Sequence, residues 1–160
     1  MERLRQIPIF NTETAKNSIR EDLLRKRAIG RGRLGFMSGA ILHDPFSPSR
    51  NAERIYRYQR YARNHLGFPI VSALNYLPQE TLLRLSDRTT SVLDKYWESE
   101  GHENHRFWQE NIEAGYFTHV IFTPESENLM PAIVEYNLAR RNGIAIFHIN
   151  DKRQLPSSSR

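Results

Sequence analysis

The sequence predicts an α/β protein in three layers, with helices on both faces of a mostly parallel sheet of four to five strands. Two observations predict it. Short apolar runs alternate with longer stretches of helical periodicity. That alternation is the pattern of parallel crossover units. The apolar runs "LGFMSGAIL", "FPIVSAL", "HVIFTP" and "IAIFHIN" are nearly continuous, as strands buried on both faces are.

The elements follow in order. Residues 1–33 carry no strong core periodicity and read as a basic N-terminal extension. Within it "TAKNSIREDLLRKRA" makes a short helix capped by Thr12 or Thr14. Leu34 opens the main α/β domain, residues 34–150, with the first strand and then the Pro- and Ser-rich loop "HDPFSPSR". Ser47 or Ser49 caps the helix "RNAERIYRYQRYARNHL". Ala52, Ile55, Tyr56, Ala62 and Leu66 form its apolar stripe, and Gly67 stops it. "FPIVSAL" is the second strand. "PQETLLRLSDRTTSVLDKYW" is helical, with a break near "SDRTT", and "ESEGHENH" is a polar connector. "RFWQENIEAGYF" is a helix ending near Gly115, and "HVIFTP" is the third strand. "ENLMPAIVEYNLARRNG" is a helix with Pro131 in its first turn and Gly143 as its stop. "IAIFHIN" is the fourth strand, and residues 151–160 are a polar tail. The architecture is Rossmann-like, and such sheets bind ligands at the carboxyl ends of their strands.

Composition bounds the partners. The chain has 160 residues, enough for one domain with a real core. It is 39% hydrophobic and 26% charged, which is ordinary for a soluble globular chain. No apolar run is long enough to span a bilayer, and "MERLRQIPIF" lacks the apolar core of a secretory signal. A cytoplasmic protein with no membrane partner is expected. Without cysteine there is no disulfide, thiolate metal site or thiol nucleophile. A net charge of +5, concentrated before Leu34, favours anionic partners. The basic arm is either a solvated segment or a weak nucleic-acid contact.

Two strings look like motifs and are set aside. "GRGRLG" (Gly30–Gly35) matches the dinucleotide fingerprint, but it follows a helix and enters a strand, the reverse of what phosphate binding needs. A glycine-arginine linker is the better reading. "HENH" (His102–His105) has metal-ligand spacing, yet it lies in a polar connector without a third ligand. No metal and no cofactor are expected.

Two stretches carry chemistry. In "FMSGAILHDPFSPSR", Ser38 and Gly39 end the first strand, where a ligand could approach closely. Ser47, Ser49 and Arg50 lie at the start of the next helix, where free N–H groups and partial positive charge suit a phosphate. Simple capping by one serine is the alternative. In "PAIVEYNLA", Glu135 sits within an apolar helix half. It shares a helical face with Asn128 and Pro131. A carboxylate there either faces solvent or acts on a substrate as nucleophile or charge stabiliser.

From Leu34 to Asn150 the chain resembles the nucleoside 2-deoxyribosyltransferase-like superfamily, which includes nucleoside deoxyribosyltransferases and nucleotide N-glycosidases. The matching stretches are "FMSGAI", "GFPIVSALNYLP", "FWQENIEAGYFTHVIFTP" and "SENLMPAIVEYNLARRNGIAIF". The resemblance implies cleavage or transfer at the N-glycosidic bond of a (deoxy)nucleoside or nucleoside 5′-monophosphate. Glu135 would be the nucleophile that captures an oxocarbenium-like carbon. Ser126 or Asn128 would contact the sugar or phosphate, and Ser38, Ser47 and Arg50 would hold the 5′-phosphate of a nucleotide substrate. The family's helical Asp, which protonates the leaving base, corresponds to Asn111, with Glu113, or Glu110 from a different helix face, as its substitute. Asn cannot serve as a general acid. The Asp before the third strand corresponds to His119. These departures leave a second reading, a catalytically weak nucleotide-binding regulator. The family also implies a homo-dimer or higher oligomer, for which "RIYRYQRYARNHL" offers a contact face.

Overall fold

The computed structural model describes residues 13–38, 48–76, 102–124 and 130–149. Their order is α1 (Glu13–Ile29), β1 (Gly35–Ser38), α2 (Pro48–Leu66), β2 (Ile70–Val71), a 3₁₀ turn (Ala73–Tyr76), α3 (His102–Glu113), β3 (His119–Phe122), α4 (Met130–Arg141) and β4 (Ala145–His148). The helical stretch expected over 78–97 and the polar tail lie outside the described residues. The polar connector ends sooner than its composition suggests, because α3 already begins at His102.

The four strands form one sheet in the order β2-β1-β3-β4, and every neighbouring pair is parallel. Register fixes the site. Ser38 pairs with Phe122, and Phe122 pairs with His148, so these three form one row at the carboxyl edge. β2 is only two residues long. The Asn75 side chain explains this: its Oδ1 accepts from Ser72 N at 2.7 Å and bends the chain into the 3₁₀ turn. Gln59 of α2 donates to Ile70 O at 2.7 Å and ties that turn to the helix.

The helices divide between the two faces, making an α/β/α sandwich. Side chains alternate across each strand. Phe36 stacks on Trp108 of α3 at 5.2 Å, and Phe122 meets Tyr136 of α4 at 5.8 Å. On the other face Phe147 meets His65 of α2 at 5.5 Å. Right-handed crossovers require this: β1 to β2 and β3 to β4 run in opposite directions, so their helices cover opposite faces. The buried face of α2 is Ile55, Tyr58 and Ala62. Tyr58 is 1% exposed whereas Tyr56, expected in the stripe, is 37% exposed. The face follows the three-and-four spacing from Ile55, which Tyr56 does not meet. Gly67 stops the helix with φ 80°, the left-handed backbone that glycine accepts without strain.

Residues 13–33 are built into the body. Ile19, Leu23 and Leu34 belong to the same core as the sheet residues. Arg20 Nε donates to Asn111 Oδ1 at 3.1 Å, and Arg27 Nη1 donates to Gly115 O at 2.6 Å. Arg20 also lies over the Phe107 ring at 5.3 Å. Tyr76 Oη donates to Asp22 Oδ2 at 2.7 Å, an oxygen that Lys26 Nζ also reaches. Partial burial pushes the Asp22 carboxyl up, but the hydrogen bonds from Lys26 and Tyr76 and the charges of Lys26 and Arg25 outweigh it and hold it below its usual value. Burial, with the bond to Asp22, raises the Tyr76 phenol. Tyr76→Phe is expected to cost about 1 kcal/mol, the net worth of one such bond, measured as a shift in the urea midpoint at constant m.

The string "GRGRLG" closes α1 and enters β1. Gly30 N donates to Lys26 O and Gly32 N to Arg27 O, both at 2.9 Å. Arg31 and Gly32 have φ of 55° and 87°. A Cβ on Gly30 would stand 2.1 Å from Arg33 O. The glycines serve a tight hydrogen-bonded turn, and the order helix-turn-strand excludes a phosphate loop.

Candidate active site

β1 and β3 are neighbours, yet their connections leave toward opposite sides of the sheet. This is the switch point at which open α/β sheets form a crevice beyond the strand ends. Four of the five buried polar residues among those described gather there. Ser38 ends β1, Thr123 follows β3 and Ser72 follows β2, and all three are buried. Glu135 is buried above them on α4, with 4% of its surface exposed.

Glu135 is the unusual group. The Ser38 hydroxyl donates to its carboxyl. Its other oxygen, Oε2, is buried and has no hydrogen-bond partner among the described residues. Burial pushes the carboxyl up to about 7, against the opposing pull of the Ser38 bond. A buried carboxyl normally satisfies both oxygens, because leaving one bare is costly.

Aromatic side chains wall the same edge. Phe122 stacks with His148 at 5.4 Å and meets Tyr136 edge-on, and Tyr136 lies 6.1 Å from His148. Phe122 is buried, Tyr136 half-buried and His148 exposed.

The structure brings Ser38 and Glu135 together. Ser49 and Arg50 fall in the first turn of α2. Gly39, Ser47, Ser126 and Asn128 lie outside the described residues. Asn111 and Glu113 sit in the last turn of α3, which leads into the amino end of β3. Asn111 is buried one turn beyond Trp108, away from the carboxyl edge, where its side chain joins α3 to α1 through Arg20. Glu113 is exposed. His119 opens β3, roughly 10 Å of strand from Phe122. There burial and the Arg33 charge lower its imidazole, and its Nδ1 lies 2.9 Å from Thr118 Oγ1. The amino end of α3, with a half-buried His105, is instead the end at the carboxyl edge, because the helix runs antiparallel to β3. No group of three or more His, Cys, Asp or Glu among the described residues is placed to hold a metal ion. No described helix is long and apolar enough to cross a membrane.

Thr123, Tyr136 and His148 were not singled out from sequence. A hydroxyl residue immediately after an apolar run, as in "VIFT", is a usable signal for the first. Tyr136 and His148 read as ordinary members of apolar elements until register sets them in one row. Comparison with family models, with curated proteins and with solved structures finds no match to this chain.

Proposed function

We propose that this chain cleaves or transfers at the N-glycosidic bond of a (deoxy)nucleoside or nucleoside 5′-monophosphate, with Glu135 as nucleophile. One observation carries the reading: a buried carboxyl at the switch point, held by Ser38 through one oxygen and, among the described residues, unpartnered at the other. A carboxylate in a poorly solvated site attracts a developing oxocarbenium carbon far more strongly than in water. The attack forms an O–C1′ bond as the C1′–N bond breaks. Water or a second base then resolves the glycosyl ester.

The carboxylate is the working form, so activity rises with pH as Glu135 ionises near 7. Ser38→Ala removes the bond that favours ionisation. The acid limb of the kcat/KM profile is expected to move to higher pH, read with a single active substrate from pH 5 to 9. The founding test incubates the protein with ribo- and deoxynucleosides and their 5′-monophosphates, and follows free base by chromatography. Release by the wild type and none by Glu135→Ala supports the reading; no release from any substrate removes it.

The second reading is a nucleotide-binding regulator of the same architecture. Asn111 favours it, because it engages Arg20 and brings no acid to the chemistry. Thermal stabilisation by a nucleotide without turnover is its signature. Of the basic residues of the arm, Arg20, Lys26 and Arg27 are engaged within the fold, while Arg25, Arg31 and Arg33 are exposed.

A further inference from the structure

A nucleobase departs poorly as an anion and needs a proton as the C1′–N bond breaks. The residues that sequence offered for this, Asn111 and Glu113, stand at the wrong end of α3. The described titratable side chains at the carboxyl edge include Glu135, Tyr136, His105 and His148. Of these, His148 stands in line with the nucleophile. Ser38, which holds Glu135, is in register with Phe122, and Phe122 with His148. Two strand spacings put their backbones about 10 Å apart. The imidazole leans back over Phe122 at 5.4 Å and lies 6.1 Å from Tyr136, the neighbour of Glu135.

An N-glycoside calls for a donor set apart from the nucleophile. O-glycosidases hold acid and nucleophile about 5.5 Å apart because both address atoms of one short linkage. In an N-glycoside the proton goes to a ring nitrogen beyond the scissile one, so the donor stands farther out. The exposed imidazole can also exchange its proton with solvent between turnovers.

We propose that His148 donates the proton to the departing base; this rests on the reading of Glu135 as nucleophile. A Glu135 oxygen bonds to C1′, the C1′–N electron pair goes to the base, and the His148 imidazolium gives its proton to a base nitrogen. Water then attacks C1′, the ester bond breaks to return the Glu135 carboxylate, and the water proton goes to the His148 imidazole. Base and free sugar are the products of nucleoside plus water.

The test compares two leaving groups: purine nucleosides, and their 7-methylated forms, whose cationic base leaves without a proton. His148→Gln is expected to slow base release from the first by on the order of 10²-fold or more and to change the second only a few-fold. Glu135→Ala should lose both. Because His148 is exposed, an unchanged melting temperature will accompany the loss. Equal losses on both substrates, or the selective loss appearing in His105→Gln instead, would overturn the donor role and leave the glycosidic reading standing. If the wild type releases base from neither substrate, that reading fails and the donor role fails with it.

Discussion

Glu135→Gln is expected to abolish base release while making the fold more stable. Loss of a covalent nucleophile removes on the order of 10⁴-fold or more of turnover. The stability gain has its own pH signature. Below 4.5 the carboxyl is protonated in folded and unfolded chains alike and imposes no ionic cost. From 4.5 to about 7 the unfolded chain releases the proton and the folded one keeps it. At about 1.4 kcal/mol per pH unit, the wild type loses roughly 3 kcal/mol across this window. Above it the loss is constant. The Gln variant has no such titration, so its melting temperature should pull ahead of the wild type as pH rises from 4 to 8. For a chain of this size the final gap is about 6–12 °C. Parallel curves for the two proteins would show that Glu135 titrates as an ordinary exposed acid.

Leu23→Ala is expected to cost about 2–5 kcal/mol, because Leu23 is wholly buried. Deletion of residues 1–29 should leave a chain that does not fold cooperatively. It removes Ile19 and Leu23 from the core, takes Arg20 from Asn111 and Phe107, and takes Asp22 from Tyr76. Urea unfolding of Leu23→Ala and the solubility of the deletion variant check this. A deletion variant with an unchanged urea midpoint would return the segment to the status of an arm.

These two predictions mark what could be read in advance. The four strands and the parallel sheet were legible because each strand is a compact apolar run. Glu135 was legible as the acid inside an apolar helix, and Ser38 as the small polar residue closing a strand. The role of α1 was hidden. Ile19 and Leu23 are its only buried apolar side chains among 17 residues. The rest of its hold comes from bonds to residues far along the chain, which periodicity cannot register. Asn111 was misplaced because its height beside the sheet depends on where α3 ends and how residues 114–118 turn into β3, neither of which spacing reveals. The row that joins Ser38, Phe122 and His148 depends on strand order, and β1 lying between β2 and β3 is not written in any local stretch.

The long reach of α1 has a consequence for biosynthesis. Arg20 finds Asn111 across 91 positions, and Asp22 finds Tyr76 across 54. The helix therefore leaves the ribosome well before the surface that receives it. At about 5–20 residues per second, its last partners follow roughly 5–20 s later. During that interval Ile19 and Leu23 stand on a nascent helix with nothing to cover them. The dense flanking charge of "REDLLRKR" is then a safeguard: it keeps a waiting apolar stripe in solution until the rest of the chain arrives.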